Sequence, residues 1–181
     1  MKWDYEFDVV VVGSGNGALT SAICSHDGGA KTLVIEKSDQ YGGTSATSGG
    51  GVWIPNNRYA KAEKVDDSDQ DARDYINSVS PEGKIKDELV ETYIAEGPKM
   101  IDYLHENSQV KYRNLAHYPD YFPDNPGGKA GNRSMEPEPI KGTELGDDLG
   151  RLRGQHPQTA FTMGPICLLY TSDAADDRIG V

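Results

Sequence analysis

A pattern of small residues near the N-terminus is the part of this sequence best suited to chemistry. Gly13, Gly15 and Ala18 occupy the three small-residue positions of G-x-G-x-x-G/A. In a dinucleotide-binding unit the first lets the chain turn sharply off a strand, the second leaves room for a pyrophosphate, and the third lets a helix lie close to the sheet. Glu36 follows at nearly the expected spacing of about 20 residues for an acid that binds a ribose hydroxyl. The spacing therefore predicts a dinucleotide site.

The residues around this pattern have the order of a β-α-β unit. Val9 to Val12 predict a strand buried on both faces of a parallel sheet, because β-branched side chains pack well on a pleated surface. Apolar residues then recur at helical spacing, Gly28-Gly29 ends the helix, and Thr32 to Ile35 form a second strand. The helix directs its free N–H groups at a phosphate. The cofactor-binding residues expected in this unit are Gly13, Ser14, Gly15, Gly17, Ala18, Glu36 and Lys37. The alternative is a glycine-rich turn that binds nothing.

Residues 37–57 form a second glycine-rich segment without a periodic apolar pattern. A flexible linker is the alternative interpretation, but linkers seldom carry Trp53, Ile54 and Pro55 directly after their glycines. FAD extends well beyond its pyrophosphate, so the backbone must approach it closely a second time, at Gly42-Gly43 and at Gly49 to Gly51. An NAD site has less use for such a segment. We therefore expect FAD, bound here by Gly43, Thr44, Ser45, Ser48, Gly49, Gly50 and Gly51.

Length and charge limit the classes of protein to which the chain could belong. Its 181 residues suffice for one domain of ordinary size, but not for a dinucleotide-binding domain plus a complete substrate domain. The net charge of −11 is spread along the chain, which argues against nucleic acid as a partner. The run Val9 to Val12 is too short for a membrane span and follows three acidic residues, so we expect neither a signal peptide nor a transmembrane segment. By default we therefore expect a cytoplasmic location.

Cysteines and histidines give no sign of a metal site. Cys24 and Cys167 are far apart and lack metal-type spacing, and the four histidines are not clustered. We expect no disulfide and no metal, with Cys24 as a small buried side chain of the first helix.

The remaining pattern predicts two helices and several loops. One helix spans Asp66 to Val79 with Ser68 as its cap, and its inward residues are Ala72, Tyr75, Ile76 and Val79. A second runs from about Lys84 to Asn107, kinked or split at Gly97-Pro98, and its inward residues are Ile85, Leu89, Tyr93, Met100, Ile101 and Leu104. Further elements expected are a short strand at Val110 to Arg113, a loop with three aromatics at Tyr118 to Arg133, and a loop with one helical turn at Met135 to Arg153.

Three segments, in this order, resemble the N-terminal portion of 3-ketosteroid delta-1-dehydrogenases, members of the fumarate reductase and succinate dehydrogenase flavoprotein superfamily. The segments are DVVVVGSGNGALTSA, EKSDQYGGTSATSGGGVWIPNN, and YPDYFPDNPGG with GNRSMEP. The first is shared by many flavoproteins, the second narrows the choice to the superfamily, and the third favours the steroid branch. The resemblance covers about residues 5–165.

The resemblance implies an α/β fold: a Rossmann-like FAD-binding domain of the GR2 type, with a parallel sheet and helices. Residues 1–166 would be the N-terminal part of that domain, and the substrate domain that interrupts it in the family would be missing. Residues 167–181 resemble a translated sequencing adapter, and we expect this tail to be foreign to the protein.

The resemblance also implies a reaction, the FAD-dependent 1,2-dehydrogenation of ring A of a 3-ketosteroid, with an external electron acceptor. In the family a tyrosine takes a proton from C2 while the flavin accepts a hydride from C1. Tyr121, in PDYF, matches the family tyrosine that supports this base, whereas Phe122 stands where another tyrosine is common. A phenol with a pKa of about 10 is a poor base at neutral pH, so a partner that shares the proton makes chemical sense. The alternative for Tyr121 is an aromatic plug under its loop.

Other functions stay open at this stage. The chain could belong to another flavoenzyme of the superfamily, such as a 3-oxosteroid 4-dehydrogenase or a fumarate-reductase-like enzyme, although we find no clustered cations for a dicarboxylate. It could also be an inactive fragment that binds at most the adenosine half of FAD. Relatives that tether the flavin use a histidine near the second glycine segment, and residues 38–57 contain none, so we expect FAD to be non-covalent.

Overall fold

Two parallel strands with a helix between them form the centre of the first of two units. The computed structural model describes residues 4–154. Within them the first unit comprises residues up to Gly50 and from Pro139, and the second comprises Gly51–Glu138. In the first unit β1 (Val9–Val12), α1 (Asn16–Asp27) and β2 (Thr32–Ile35) follow one another, and Val9 lies opposite Thr32 in a parallel pair. The predicted β-α-β unit is confirmed.

The burial predicted for β1 and α1 is wrong. Val10 and Val12 are 52% and 78% exposed, because the parallel sheet among the described residues has only two strands and α1 contacts both of them. Cys24 of α1 is exposed rather than buried. A helix of twelve residues is not enclosed by so narrow a sheet, and α1 accordingly has no fully buried residue.

Two short helical turns complete the first unit. A 3₁₀ turn occupies Ser45–Thr47, and 3₁₀ structure interrupted at Gly146 occupies Gly142–Arg151, where a helical turn was expected. Tyr41 joins the two segments of this unit, because its N–H donates to Arg151 O (2.9 Å) and its carbonyl accepts from Arg153 N (2.9 Å). The second glycine segment is thereby fixed at its start.

The second unit contains a small antiparallel sheet and three helices. Its elements are β3 (Val52–Trp53), α2 (Arg58–Ala62), α3 (Asp69–Val79), α4 (Asp87–Asn107), β4 (Tyr112–Asn114) and β5 (Ser134–Pro137). The strand order is β3-β5-β4, with Val52 opposite Met135. Ile54, Ile101 and Met135 form a buried cluster between sheet and helices. The short strand predicted at Val110 to Arg113 begins later, at Tyr112. Strand β5 is not predicted from the sequence, which indicates a loop from Met135 onward.

The prediction for α3 is largely confirmed. The Ser68 hydroxyl accepts from Asp71 N (3.1 Å) and so caps the helix. Ala72 and Tyr75 are buried, whereas Val79 is 41% exposed at the last helical residue.

The inward face predicted for α4 is partly wrong. Its buried residues are Val90, Ile94, Gly97, Ile101 and Leu104, whereas Ile85, Leu89, Tyr93 and Met100 are exposed. The sequence carries two neighbouring apolar stripes, and the inward one contains Gly97, where an added Cβ would stand 3.3 Å from Ile54 Cδ1. The sequence predicts a kink or a split at Gly97-Pro98, and the split is wrong, because Asp87–Asn107 is one helix that includes Pro98. The kink stays a prediction.

Residues 4–154 hold neither a helix suited to cross a membrane nor a group of metal ligands. We found no helix there with the length and hydropathy that crossing a membrane requires. Nor did we find three or more His, Cys, Asp or Glu side chains grouped as metal ligands.

Candidate functional site

The turn between β1 and α1 is built around Gly13. This residue has φ +96°, a left-handed conformation that glycine adopts without steric cost, and its N–H donates to Ile35 O (2.7 Å). Among residues 4–154, no atom outside Gly13 and its two chain neighbours lies within 4 Å of the position that a Cβ would take, so the turn requires glycine for its backbone conformation rather than for space.

Ser14 connects three parts of the first unit. Its side chain is buried, its hydroxyl donates to Glu36 Oε2 (2.5 Å), and the same oxygen accepts from Gly42 N (2.9 Å). The hydroxyl therefore joins the end of β2 and the second glycine segment to the first glycine turn.

Glu36 is held as a carboxylate at the end of β2. The hydrogen bond from Ser14 lowers the pKa of this carboxyl below its ordinary value, and the N–H of Ser38, 3.0 Å from Oε1, lowers it further. Desolvation opposes these effects, but the side chain is only half-buried. A carboxylate has about four acceptor positions, so both oxygens keep lone pairs for further donors such as ribose hydroxyls.

The two glycine segments meet at the N-terminus of α1. The Ser45 hydroxyl accepts from Asn16 N (3.0 Å), the first helical N–H, and the N-cap residue Gly15 provides no side chain of its own. An added Cβ at Gly43 would lie 3.5 Å from Gly15 Cα. This is an ordinary van der Waals distance, so the two segments are in contact at Gly15 and Gly43, a proximity that the pattern alone did not reveal.

Gly42, predicted together with Gly43 as a point where the backbone approaches FAD closely, has a role of its own in the site. It is buried with φ +103°, and a Cβ there would stand 2.7 Å from Ala46 Cβ. Its N–H is the donor that reaches Ser14. The Gly-Gly pair was the available signal, but only the structure distinguishes its two members.

The other predicted cofactor residues are more widely distributed. Gly17 and Ala18 lie in the first turn of α1, and Lys37, Thr44 and Ser48 have exposed side chains. Gly50 donates its N–H to the Ser48 hydroxyl (3.2 Å), and Gly49 lies between them. Gly51 belongs to the second unit, directly before β3. The first unit thus brings together Gly13 to Ala18, Glu36 and Gly43 to Ser45.

Tyr121 lies in the second unit, on the loop predicted at Tyr118 to Arg133. Its side chain is 84% exposed, so it does not act as an aromatic plug among the described residues. A hydrogen bond with Tyr121 raises the pKa of the Tyr118 phenol, so the two hydroxyls are neighbours. Asp120, directly before Tyr121, is buried.

The arrangement in the first unit suits the adenosine and pyrophosphate end of a dinucleotide. It offers a helix N-terminus for an anion and, after β2, an oriented carboxylate for a ribose. The positive φ angles at Gly13 and Gly42 favour glycine, so neither of these two positions adds a side chain beside the turn.

Comparison with known proteins agrees with this geometry. The family model described as "FAD binding domain" matches residues 8–177. A 3-oxosteroid 1-dehydrogenase of Mycolicibacterium smegmatis is 39% identical over 158 residues, 87% of this chain and 28% of that protein. A 4-oxocyclohexanecarboxylate 2-dehydrogenase of Sinomonas cyclohexanicum is 37% identical over 157 residues, 87% of this chain and 27% of that protein.

A solved structure shows the same fold. The 3-ketosteroid delta1-dehydrogenase of Sterolibacterium denitrificans, in complex with 1,4-androstadiene-3,17-dione, superposes with a TM-score of 0.78 at 41% identity. The match covers 84% of this chain and 27% of that one. The chain therefore spans little more than a quarter of the relatives it matches.

Proposed function

Since this chain belongs to the family of FAD-binding domains, we propose that it is the N-terminal FAD-binding part of an enzyme that carries out 1,2-dehydrogenation of ring A of 3-ketosteroids. The cofactor is FAD. The observation that carries the proposal is the likeness to 3-oxosteroid 1-dehydrogenases, which extends over most of this chain, the PDYF segment included, and is matched by the fold of a solved relative.

The residues of the first unit have separate roles in holding FAD. Glu36 accepts hydrogen bonds from the ribose, and the N-terminus of α1 faces the pyrophosphate. Ser14 fixes Glu36, and Ser45 brings a hydroxyl to the first helical N–H. FAD, when bound, supplies the acceptor for the hydride that leaves the steroid. Because residues 38–57 contain no histidine, we place the cofactor in a non-covalent site.

Tyr121 is the residue of this chain that we assign to proton transfer. Its exposed phenol is free of core packing and has a second phenol, Tyr118, beside it. A hydroxyl so placed shares a proton with the base that acts on C2. That base and the groups that polarise the C3 carbonyl belong, in this proposal, to a part of the enzyme outside this chain.

The proposal includes three further assignments. Residues 1–166 are the N-terminal part of the FAD domain, an external acceptor reoxidises the flavin, and the enzyme works in the cytoplasm. The tail at 167–181 lies outside the described residues, and the family match runs to residue 177, across most of that tail. Genomic sequence beyond Pro165 decides whether that tail is foreign.

Oxidation of a smaller cyclic ketone is the second candidate function. The Sinomonas relative is named for a cyclohexanone carboxylate and matches as much of this chain as the steroid enzyme does. Both reactions remove hydrogen beside a ring carbonyl, so the residues of this chain serve either one.

The experiment that separates the candidates is anaerobic reduction of the full-length, FAD-loaded enzyme by each substrate. We expect 4-androstene-3,17-dione to bleach the flavin absorbance and to be converted to the 1,4-diene. Bleaching by 4-oxocyclohexanecarboxylate alone would establish the second candidate, and bleaching by neither would refute both.

A further inference from the structure

One buried guanidinium in the second unit is paired with two carboxylates. Arg133 Nη2 lies 2.7 Å from Asp67 Oδ1, and Arg133 Nη1 lies 2.9 Å from Asp120 Oδ2. All three side chains are at most 3% exposed. A buried charge is costly unless it is paired and hydrogen-bonded, and each of these three charges has a charged partner. The cluster nevertheless carries one net negative charge.

Asp67 alone neutralises Arg133. Its two oxygens receive the guanidinium Nε at 3.2 and 3.1 Å in addition to Nη2, and they also accept from Asn56 N (2.8 Å) and Ser68 N (3.0 Å). A second buried carboxylate adds desolvation cost without being needed for charge balance. Asp120 therefore calls for another explanation.

Donors from separate parts of the second unit fix the Asp120 carboxylate. Trp53 Nε1, at the end of β3, donates to Oδ1 (2.6 Å), and Lys129 N and Arg133 Nη1 donate to Oδ2 (3.0 and 2.9 Å). The Asp120 N–H also donates to Lys129 O (3.0 Å). Both the side chain and the backbone of this residue are thus held.

We propose that Asp120 is a positioning residue for Tyr121, which follows it directly and whose ring has little packing among the described residues. The Tyr121 side chain is 84% exposed, and Tyr118, the neighbour of its hydroxyl, is itself 48% exposed, so the core does not fix this hydroxyl. The fixed point is one residue earlier, at the carboxylate bound by Trp53, Lys129 and Arg133. The inference rests on the proposed role of Tyr121 in proton transfer, where small displacements of a reacting group are expensive.

Asp120→Asn is the informative variant. The amide has the size of the carboxylate but only one acceptor oxygen, so its NH₂ group must face either Trp53 Nε1 or the donors on Oδ2. Asp67→Asn is the matched control, because it perturbs the same guanidinium from an equally buried position that is distant from Tyr121 in sequence.

The first measurement is amide hydrogen exchange in the chain of 181 residues. Asp120→Asn should speed exchange at Lys129 N and at Phe122 N, which donates to the Tyr75 hydroxyl (3.3 Å). Asp67→Asn should act mainly at Asn56 and Ser68, whose amides it binds. Unchanged exchange at Phe122 in Asp120→Asn, or equal changes there in both variants, would overturn the proposal.

The second measurement is a double-mutant cycle on kcat in the full-length enzyme. Tyr121→Phe alone should lower kcat roughly 10²-fold, the lower end of general acid–base assistance. Asp120→Asn should lower kcat about 10-fold with Tyr121 present and less than about 2-fold in the Tyr121→Phe background, since a positioning residue loses its effect with the group it positions.

Asp67→Asn should change kcat by the same factor in the enzyme with Tyr121 and in the Tyr121→Phe variant. If Asp120→Asn also changed kcat by one factor in both, the cluster would be only structural. A full-length enzyme that does not oxidise a 3-ketosteroid would refute the proposed function. The exchange experiment would still decide whether Asp120 fixes the loop.

Discussion

At the scale of single residues, one hydroxyl organises the candidate cofactor site. Ser14 is placed by the turn at Gly13, and its contacts with Glu36 and Gly42 are made from a buried position. The sequence predicts both Ser14 and Glu36 as cofactor residues. It does not predict the hydrogen bond between them, because that bond depends on the parallel register of β1 and β2.

Glu36→Ala should weaken FAD binding. The carboxylate is oriented by Ser14 and Ser38, and its loss removes the acceptor for the ribose hydroxyls. Removal of one charged hydrogen-bonding partner costs about 1.5–3 kcal/mol, which corresponds to roughly a 10- to 100-fold rise in Kd. Isothermal titration of the full-length apoenzyme with FAD measures it, with Glu88→Ala on the exposed start of α4 as the control. An unchanged Kd for Glu36→Ala would exclude the ribose contact.

Ser14→Ala should raise the pKa of Glu36 towards its ordinary value of 4.5, because the Ser14 hydrogen bond is the largest cause of the lowered pKa. A lowered pKa in the folded state stabilises the protein above about pH 4.5, and this contribution is lost as the pH falls through the lowered value. The stability difference between wild type and Ser14→Ala should therefore be largest at neutral pH and shrink on acidification. The pH dependence of the Glu36 carboxyl ¹³C chemical shift gives the pKa of this group directly. The same titration curve in wild type and in Ser14→Ala would contradict the prediction.

At the scale of elements, the sequence predicts the features that depend on a few adjacent residues, such as where a helix begins and ends. It does not predict the features that depend on contacts between elements, such as which face of a helix is buried. The Ser68 cap and the glycines that end α1 act within a few residues, so α3 and α1 were placed correctly. The inward face of α4 depends on which apolar stripe meets Ile54, which lies far away in sequence. Met135 is buried, yet its strand β5 was not predicted, because a long loop separates it from its partner β4 and three helices lie between it and its partner β3.

The Asp120–Arg133 pair could not be predicted for the same reason. Asp120 and Arg133 lie in YPDYFPDNPGGKAGNR, a sequence rich in Pro, Gly and Asn that is typical of an exposed loop. Only the folded chain shows that Asp120 and Arg133 are among its most buried charged residues.

The inward face of α4 can be tested by paired truncations. Ile94 is 3% exposed and packs with Ala72 and Val90, whereas Leu89 is 58% exposed. Ile94→Ala should lower the free energy of unfolding by about 2–5 kcal/mol, the usual range for a buried aliphatic side chain. Leu89→Ala should change it by less than about 1 kcal/mol, as is usual at the surface. Urea denaturation followed by tryptophan fluorescence reports both, and the opposite order would restore the face predicted from the sequence.

At the scale of the whole molecule, we expect the FAD to be removable from the full-length enzyme. Residues 38–57 offer no histidine for a tether to the flavin. Acid precipitation should therefore leave yellow flavin in the supernatant and colourless protein in the pellet. Flavin fluorescence that stays with the protein band on a denaturing gel would show a covalent link from another residue.

The pairing of β3 with β5 has a consequence for the order in which the chain acquires its structure during synthesis. Val52 and Met135, close to the two ends of the second unit, lie opposite each other, whereas the first unit needs the late contact of Tyr41 with Leu152. The ribosome thus releases all of residues 51–138 before the segment that closes the first unit. A second unit that folds on emergence joins its own ends and shortens the loop still to be closed, which lowers the entropic cost of the final contact. We expect nascent chains stalled once residues 51–138, but not the segment after them, have left the exit tunnel to resist proteolysis across 51–138 while residues 4–50 are still cleaved. Equal cleavage of both regions would show that the two units form together.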